Sequence, residues 1–306
     1  MIALSTAWHL RDDPRIVSTL RAIERMGFAA VEIGVAADVK FRRKKVLKFL
    51  KGSELRVVSI HNVCVEGRVD PQNERGDWLA SPDPALRRKG IDATIQTIEH
   101  AAALGARAVV LHLGSPPIEE RWEKQELLYR LGGGSPRVAR ELGVTAAEIL
   151  AEREAVAPRY LEAACESLAE LLERTSDVAL GIETRMGWHE LPSLDELTAL
   201  FERFPDPRVG YWHDVGHAVL RSAMGLEGRL EWLERCGERT LGVHLHDVAD
   251  RRGRLADHYP PGLGSVDFRG VRRLLPAGAL RVMELSSRFI AEEVQLGRSH
   301  LEELGF

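Results

Sequence analysis

Along the 306 residues, eight short apolar or β-branched runs alternate with segments whose apolar positions recur every three or four residues. The runs are IALSTA near 2–7, AAVEIG near 29–34, RVVSIH near 56–61, ARAVVLH near 106–112, VALGIE near 178–183, RVGYWH near 208–213, TLGVHLH near 240–246 and LRVMEL near 280–285. Between them lie amphipathic stretches such as RIVSTLRAIERMG, closed by a glycine that can take the left-handed turn ending a helix. Strands separated by helices pair in parallel, and eight is the number that closes a barrel. The expectation is a single-domain (β/α)8 barrel over residues 1–306. The composition, 44% hydrophobic and 29% charged, supplies a large core under a solvated surface.

Each unit takes about 30 residues except after the third and fourth runs. The third is followed by a long loop carrying Trp78. The fourth is followed by an insertion at about 115–160, with a charged stretch and a triple glycine at 132–134. Loops after barrel strands rise from the face where barrel enzymes bind substrate, so both read as specificity elements. Contacts of a homo-oligomer are the alternative left open. The triple glycine has neither the preceding strand nor the lysine of a phosphate loop, and reads as a hinge.

A net charge of −4 gives no basic stripe for nucleic acid or an anionic membrane surface. Cys64, Cys165 and Cys236 are sparse and unpaired in pattern, no apolar run is long enough to span a bilayer, and no leader pattern opens the chain. A cytoplasmic location is the expectation. Nucleotide-loop and nucleophile-elbow motifs are absent from the sequence. No lysine follows Lys124, which removes Schiff-base chemistry from the last four strands.

What remains is a set of metal-type side chains at strand ends. His61, His112 and Glu183 end the third, fourth and fifth runs, Asp214 and His217 follow the sixth, His244 and His246 lie on the seventh, and Glu284 on the eighth. A barrel delivers such residues to one cavity. A single histidine in an apolar strand is commonly a hydrogen-bonded core residue. A carboxylate there is costly unless paired or bound to metal, and Glu183, Asp214 and Glu284 make three. Oxygen and imidazole donors together suit Zn, Mn, Co or Mg.

HDVGH at 213–217, HLHD at 244–247, GIETR at 181–185 and DHYPPGLGSVDF at 257–268 resemble the xylose-isomerase-like superfamily of sugar isomerases and epimerases, inosose dehydratases and apurinic endonucleases. The resemblance implies one divalent metal held by Glu183, Asp214, His244 and Glu284, with His244 rather than His246 as the ligand of the HxxD motif. It implies that His217 contacts substrate in epimerases or a further metal in endonucleases. It matches His61, His112 and His258 to endonuclease ligands. Ala256 stands where those endonucleases carry a ligand aspartate, and Asp257 beside it is expected to point elsewhere.

Moving a proton beside a carbonyl needs a base, an acid and stabilisation of the enediolate, and two carboxylates flanking a metal supply all three. Glu183 and Glu284 are assigned as that catalytic pair. His61, His112, Arg185, Trp188, His217 and His258 are assigned to substrate, with Trp8 and Trp212 as further apolar walls. The expected reaction is isomerisation or epimerisation of a sugar or sugar-derived polyol. A keto-polyol dehydratase and an apurinic-endonuclease-type phosphodiesterase are the alternatives.

Overall fold

The computed structural model describes residues 1–10, 15–118, 136–175, 177–251 and 254–306. All eight expected strands form: β1 (Ala3–Ser5), β2 (Ala30–Ile33), β3 (Arg56–His61), β4 (Ala108–Leu111), β5 (Ala179–Glu183), β6 (Val209–Asp214), β7 (Thr240–Leu245) and, after a hairpin described below, β10 (Leu280–Met283). They pair in parallel and close in the order β1-β10-β7-β6-β5-β4-β3-β2. Register places the chemistry at one end: Asp214 sits opposite His244, and Glu183 opposite Trp212. His112 and Glu284 each stand one residue beyond their strands, on the same C-terminal rim.

The main apolar core lies between the barrel and its helices, where alternate strand residues such as Val31, Ile33, Leu180 and Ile182 meet helix residues such as Leu20, Ile23, Leu168 and Leu197. Inside the barrel, Trp212 is fully buried between Gly181 and Gly242, where added Cβ atoms would lie 3.0 and 2.4 Å from its ring. One large ring against two missing side chains fills the space beneath the site.

Two features add to the expected barrel. The segment after β7 is an antiparallel hairpin, β8 (Asp247–Arg251) and β9 (Arg254–Tyr259). Arg251 lies over the Tyr259 ring, with 5.2 Å to its centroid. The back of the 115–160 insertion is continuous with a 39-residue helix, Pro136–Arg174. Its front half is tied to the barrel loops by Arg153, which pairs with Glu196 and donates to the Glu190 carbonyl at 3.3 Å. The triple glycine and Arg252 lie outside the described residues. Among the described residues no helix is long and apolar enough to cross a membrane.

Candidate active site

The HDVGH spacing has a local cause. Asp214 ends β6 and caps the helix Val215–Ala223, accepting a hydrogen bond from the His217 backbone N–H at 2.7 Å. An N-cap aspartate places the residue three positions on beside itself, which sets His217 on the same rim. His246 Nδ1 accepts the His258 backbone N–H at 2.9 Å, so its proton resides on Nε2, which donates to both Asp214 oxygens at 3.0 Å. The glycine of the motif makes room for this: a Cβ on Gly216 would lie 2.0 Å from the His246 ring. Asp247, the last residue of HLHD, turns away from the site and accepts from the backbone N–H groups of Gly262, Gly264 and Val266, fastening the glycine-rich loop.

Glu183, Asp214, His244 and Glu284 offer ligand atoms that all lie within 4.8 Å of one another. His244 Nδ1 stands 3.1 Å from Glu183, 3.2 Å from Glu284 and 3.7 Å from Asp214. Burial alone would raise these carboxyls. His112 and His244 hold Glu183 well below the usual range, His217 and His246 do so for Asp214, and His244 and His258 for Glu284. Burial pulls the His244 imidazole down, but Glu284, Glu32 and Asp214 outweigh it and carry it well above its ordinary value. Two buried carboxylates and a half-buried third converging on one imidazole nitrogen form a donor set that a divalent cation would fit.

Glu32, at the end of β2, was not singled out from the sequence. It is fully buried, accepts from the Ser59 hydroxyl at 2.7 Å and faces His244 Nε2 at 3.1 Å. The signal was present in AAVEIG, since a carboxylate in a buried strand needs a partner there as much as in LGIET.

A cavity of about 450 Å3 opens above this group, lined by His61, His112, Glu183, Arg185, His217 and His258, with Glu284 and the apolar Leu10, Val35 and Met186. At the β4–β5 corner, Arg185 Nη1 donates to His112 Nε2 at 2.7 Å and lies 3.8 Å from Glu183, while its other nitrogens engage Glu190 at 2.7–2.9 Å. Burial and Arg185 push the His112 imidazole down to about 4, although Glu183 opposes them.

The family model for xylose isomerase-like TIM barrels matches residues 20–281. The chain belongs to that family. A probable endonuclease 4 of Symbiobacterium thermophilum is 28% identical over 241 residues, covering 73% of this chain and 74% of its own. An uncharacterized protein, y4fM, of Sinorhizobium fredii is 27% identical over 67% of this chain, which spans only 54% of that relative. Among solved structures, a D-tagatose 3-epimerase-like protein superposes with a TM-score of 0.67 at 18% identity, covering 99% of this chain and 96% of its own. The 3-keto-D-glucoside 4-epimerase YcjR of E. coli gives 0.66 at 16%, covering 99% and 98%. The IOLI protein with a bound zinc atom gives 0.66 at 14%, covering 99% and 97%. These likenesses share the fold of the family.

His61, His112, Arg185, His217 and His258 all reach the cavity, and Trp8, Trp188 and Trp212 do not. Trp188 is buried against Ile149 and Met224, Trp212 lies under His244 with ring centroids 5.3 Å apart, and Trp8 donates to the Phe289 carbonyl. A large indole is worth more to this fold as packing than as cavity wall. Two further groups of metal-type residues occur, His61–His112–Glu183 and Asp214–His217–His258. Ala256 leaves the latter with one carboxylate. Asp257 does reach the cavity, contrary to expectation, and engages His258 Nδ1 at 3.1 Å.

Proposed function

We propose that the protein is a divalent-metal-dependent isomerase or epimerase of a sugar or sugar-derived polyol. The observation carrying this reading is that Glu183 and Glu284, on strands separated by two others, both face the cavity and both bracket His244 Nδ1. Glu183, Asp214, His244 and Glu284 would hold the metal, which when bound supplies a Lewis acid for a carbonyl and its enediolate. The chain's own part is proton handling. Glu284, 14% exposed and anionic at neutral pH, is placed as the base, and Glu183, only 1% exposed beneath His61 and His112, takes the opposite side. His217 and His258 line the wall where substrate oxygens would be oriented, and Leu10, Val35 and Met186 exclude water from part of it.

The test is exchange of substrate hydrogen with solvent deuterium across a panel of ketoses. E284Q keeps the shape and one ligand oxygen but removes the base, and exchange should fall by orders of magnitude with binding affected less. Exchange at the wild-type rate would make Glu284 a ligand only.

A second reading, an apurinic-endonuclease-type phosphodiesterase, draws on the endonuclease relative and on the two additional residue groups. Against it, Arg185 places its own cation at His112 and Glu183, and Ala256 removes a neutralising carboxylate. Metal analysis and abasic-site nicking separate the two. One metal per chain and no incision are expected; three metals with robust metal-dependent incision would replace the isomerase reading.

A further inference from the structure

Beyond Glu284 the chain runs Leu285-Ser286-Ser287-Arg288, and these residues build a side lobe of about 330 Å3. The lobe shares Asp257, His258 and Glu284 with the main cavity and continues over Ser286, Ser287 and Arg288. The two spaces are therefore neighbours across His258, whose backbone is held at a left-handed φ of 56°. That conformation costs a non-glycine residue energy and is retained where the surroundings enforce it.

The carboxylates of the lobe are taken up by histidines, while its guanidinium is not paired with a carboxylate among the described residues. Asp257 meets His258 Nδ1 at 3.1 Å, and Glu284 meets His258 Nε2 at 3.6 Å and His244 at 3.2 Å. Both carboxylates are thus engaged. Arg288 has no carboxylate partner among the described residues: its one hydrogen bond runs from Nη2 to the Asp257 carbonyl at 3.2 Å. A guanidinium carries five N–H donors, so most remain free. The group is nevertheless held, lying 4.2 Å from the Tyr259 ring centroid and 4.9 Å from that of Phe289. Neither serine hydroxyl has a partner among the described residues. A planar fork, fixed on aromatic faces and accompanied by two free hydroxyls, is the donor set that matches a planar or tetrahedral oxyanion.

We infer that this lobe binds an anionic group of the substrate, a phosphate or a carboxylate, through Arg288, Ser286 and Ser287. The inference deepens the isomerase or epimerase reading by naming an anionic polyol as the substrate class, and it rests on that reading only for the molecule in the main cavity. Glu284 lies at the junction, so a substrate anchored in the lobe presents its nearest carbons to the assigned base.

Two experiments test it. In the first, inorganic phosphate is titrated calorimetrically into metal-loaded wild type, R288A and R288K. Charge-assisted bidentate contacts predict a weakening of about ten-fold or more in R288A, partial recovery in R288K, and unchanged metal content. Equal affinity in all three would place phosphate on the metal and overturn the lobe. In the second, neutral ketohexoses, their phosphate esters and keto sugar acids are compared by kcat/KM for solvent deuterium incorporation. The anionic members should lead by about ten-fold or more, their lead should shrink in R288A, and whichever of ester or acid leads identifies the anion. A lead by neutral sugars would overturn the lobe and leave the isomerase reading standing. No exchange with any sugar, together with Arg288-dependent phosphate binding, would sink that reading and support the lobe.

Discussion

Removing Glu32 should loosen the metal without emptying the cavity of any ligand. His244 Nδ1 is the nitrogen that faces Glu183, Asp214 and Glu284, and to be a ligand it must be bare. The ring proton must then sit on Nε2, and Glu32 at 3.1 Å is what accepts it. In E32A the proton is better placed on Nδ1, where three carboxylates compete for it, and a metal has to displace it. Outer partners of ligand histidines are worth about 10- to 100-fold in metal affinity, or about 1.4–2.7 kcal/mol. E32Q keeps an acceptor oxygen for Nε2, and its loss should be smaller than that of E32A. The assay is competition for Mn or Zn between apo-protein and a chelating indicator at neutral pH, with circular dichroism confirming that each variant is folded. A folded E32A that binds metal as tightly as wild type would refute the tautomer argument.

G216A should drive a methyl group into the His246 ring, 2.0 Å away, and cost about 1–3 kcal/mol of stability together with metal affinity, read by thermal unfolding and the same competition. Chelation should lower Tm, because three converging carboxylates lose their counter-charge, and restoring a divalent ion at about 100 times its Kd should return about 2.7 kcal/mol; a Tm indifferent to chelator would contradict the donor set. Burial raises the Glu190 carboxyl, but Arg185 and the Gly187 backbone N–H outweigh it and hold the group at about 2 against an ordinary 4.5. Its contribution is therefore present above pH 4.5 and fades as pH falls towards 2, so the stability gap between wild type and E190Q in urea should be widest near neutrality and narrow below pH 4.5. A gap that stays constant with pH would show that the carboxylate charge is not what Arg185 uses.

The barrel was legible because its strands are buried on both faces and separated by amphipathic helices, a pattern that one sequence displays without any partner. The carboxylates that meet at His244 were legible for a related reason: LGIET, YWHDVGH and RVMEL carry them in apolar strands, where a charge needs a partner. Glu32 obeys the same rule, and AAVEIG carries the same signal. Three things were hidden. The hairpin after β7 is held by contacts from a distant segment, among them the Ser286 N–H to the His258 carbonyl at 3.0 Å and Arg288 over the Tyr259 ring, which local period does not reveal. The roles of Trp8, Trp188 and Trp212 depend on which way a ring turns from its strand end or loop, and packing against Met224 or between two glycines decides that only in three dimensions. Arg185 lines the cavity, but its engagement of His112 ties the loop after β5 to the end of β4, 73 residues away, and its partner Glu190 lies on its own loop.

The hydrogen bond from the His258 backbone to His246, and through it to Asp214, would make the hairpin a thermodynamic partner of a metal held by Asp214. Whatever shifts β9 relative to the barrel would alter how firmly Asp214 is oriented, and binding of such a metal would by reciprocity bias the hairpin towards one position. The wall between the cavity and its side lobe would then not be independent of an ion beneath it. If the lobe takes an anion and the group beneath takes a metal, each would change the other's affinity by the same factor, and the two equilibria are measured properly only together.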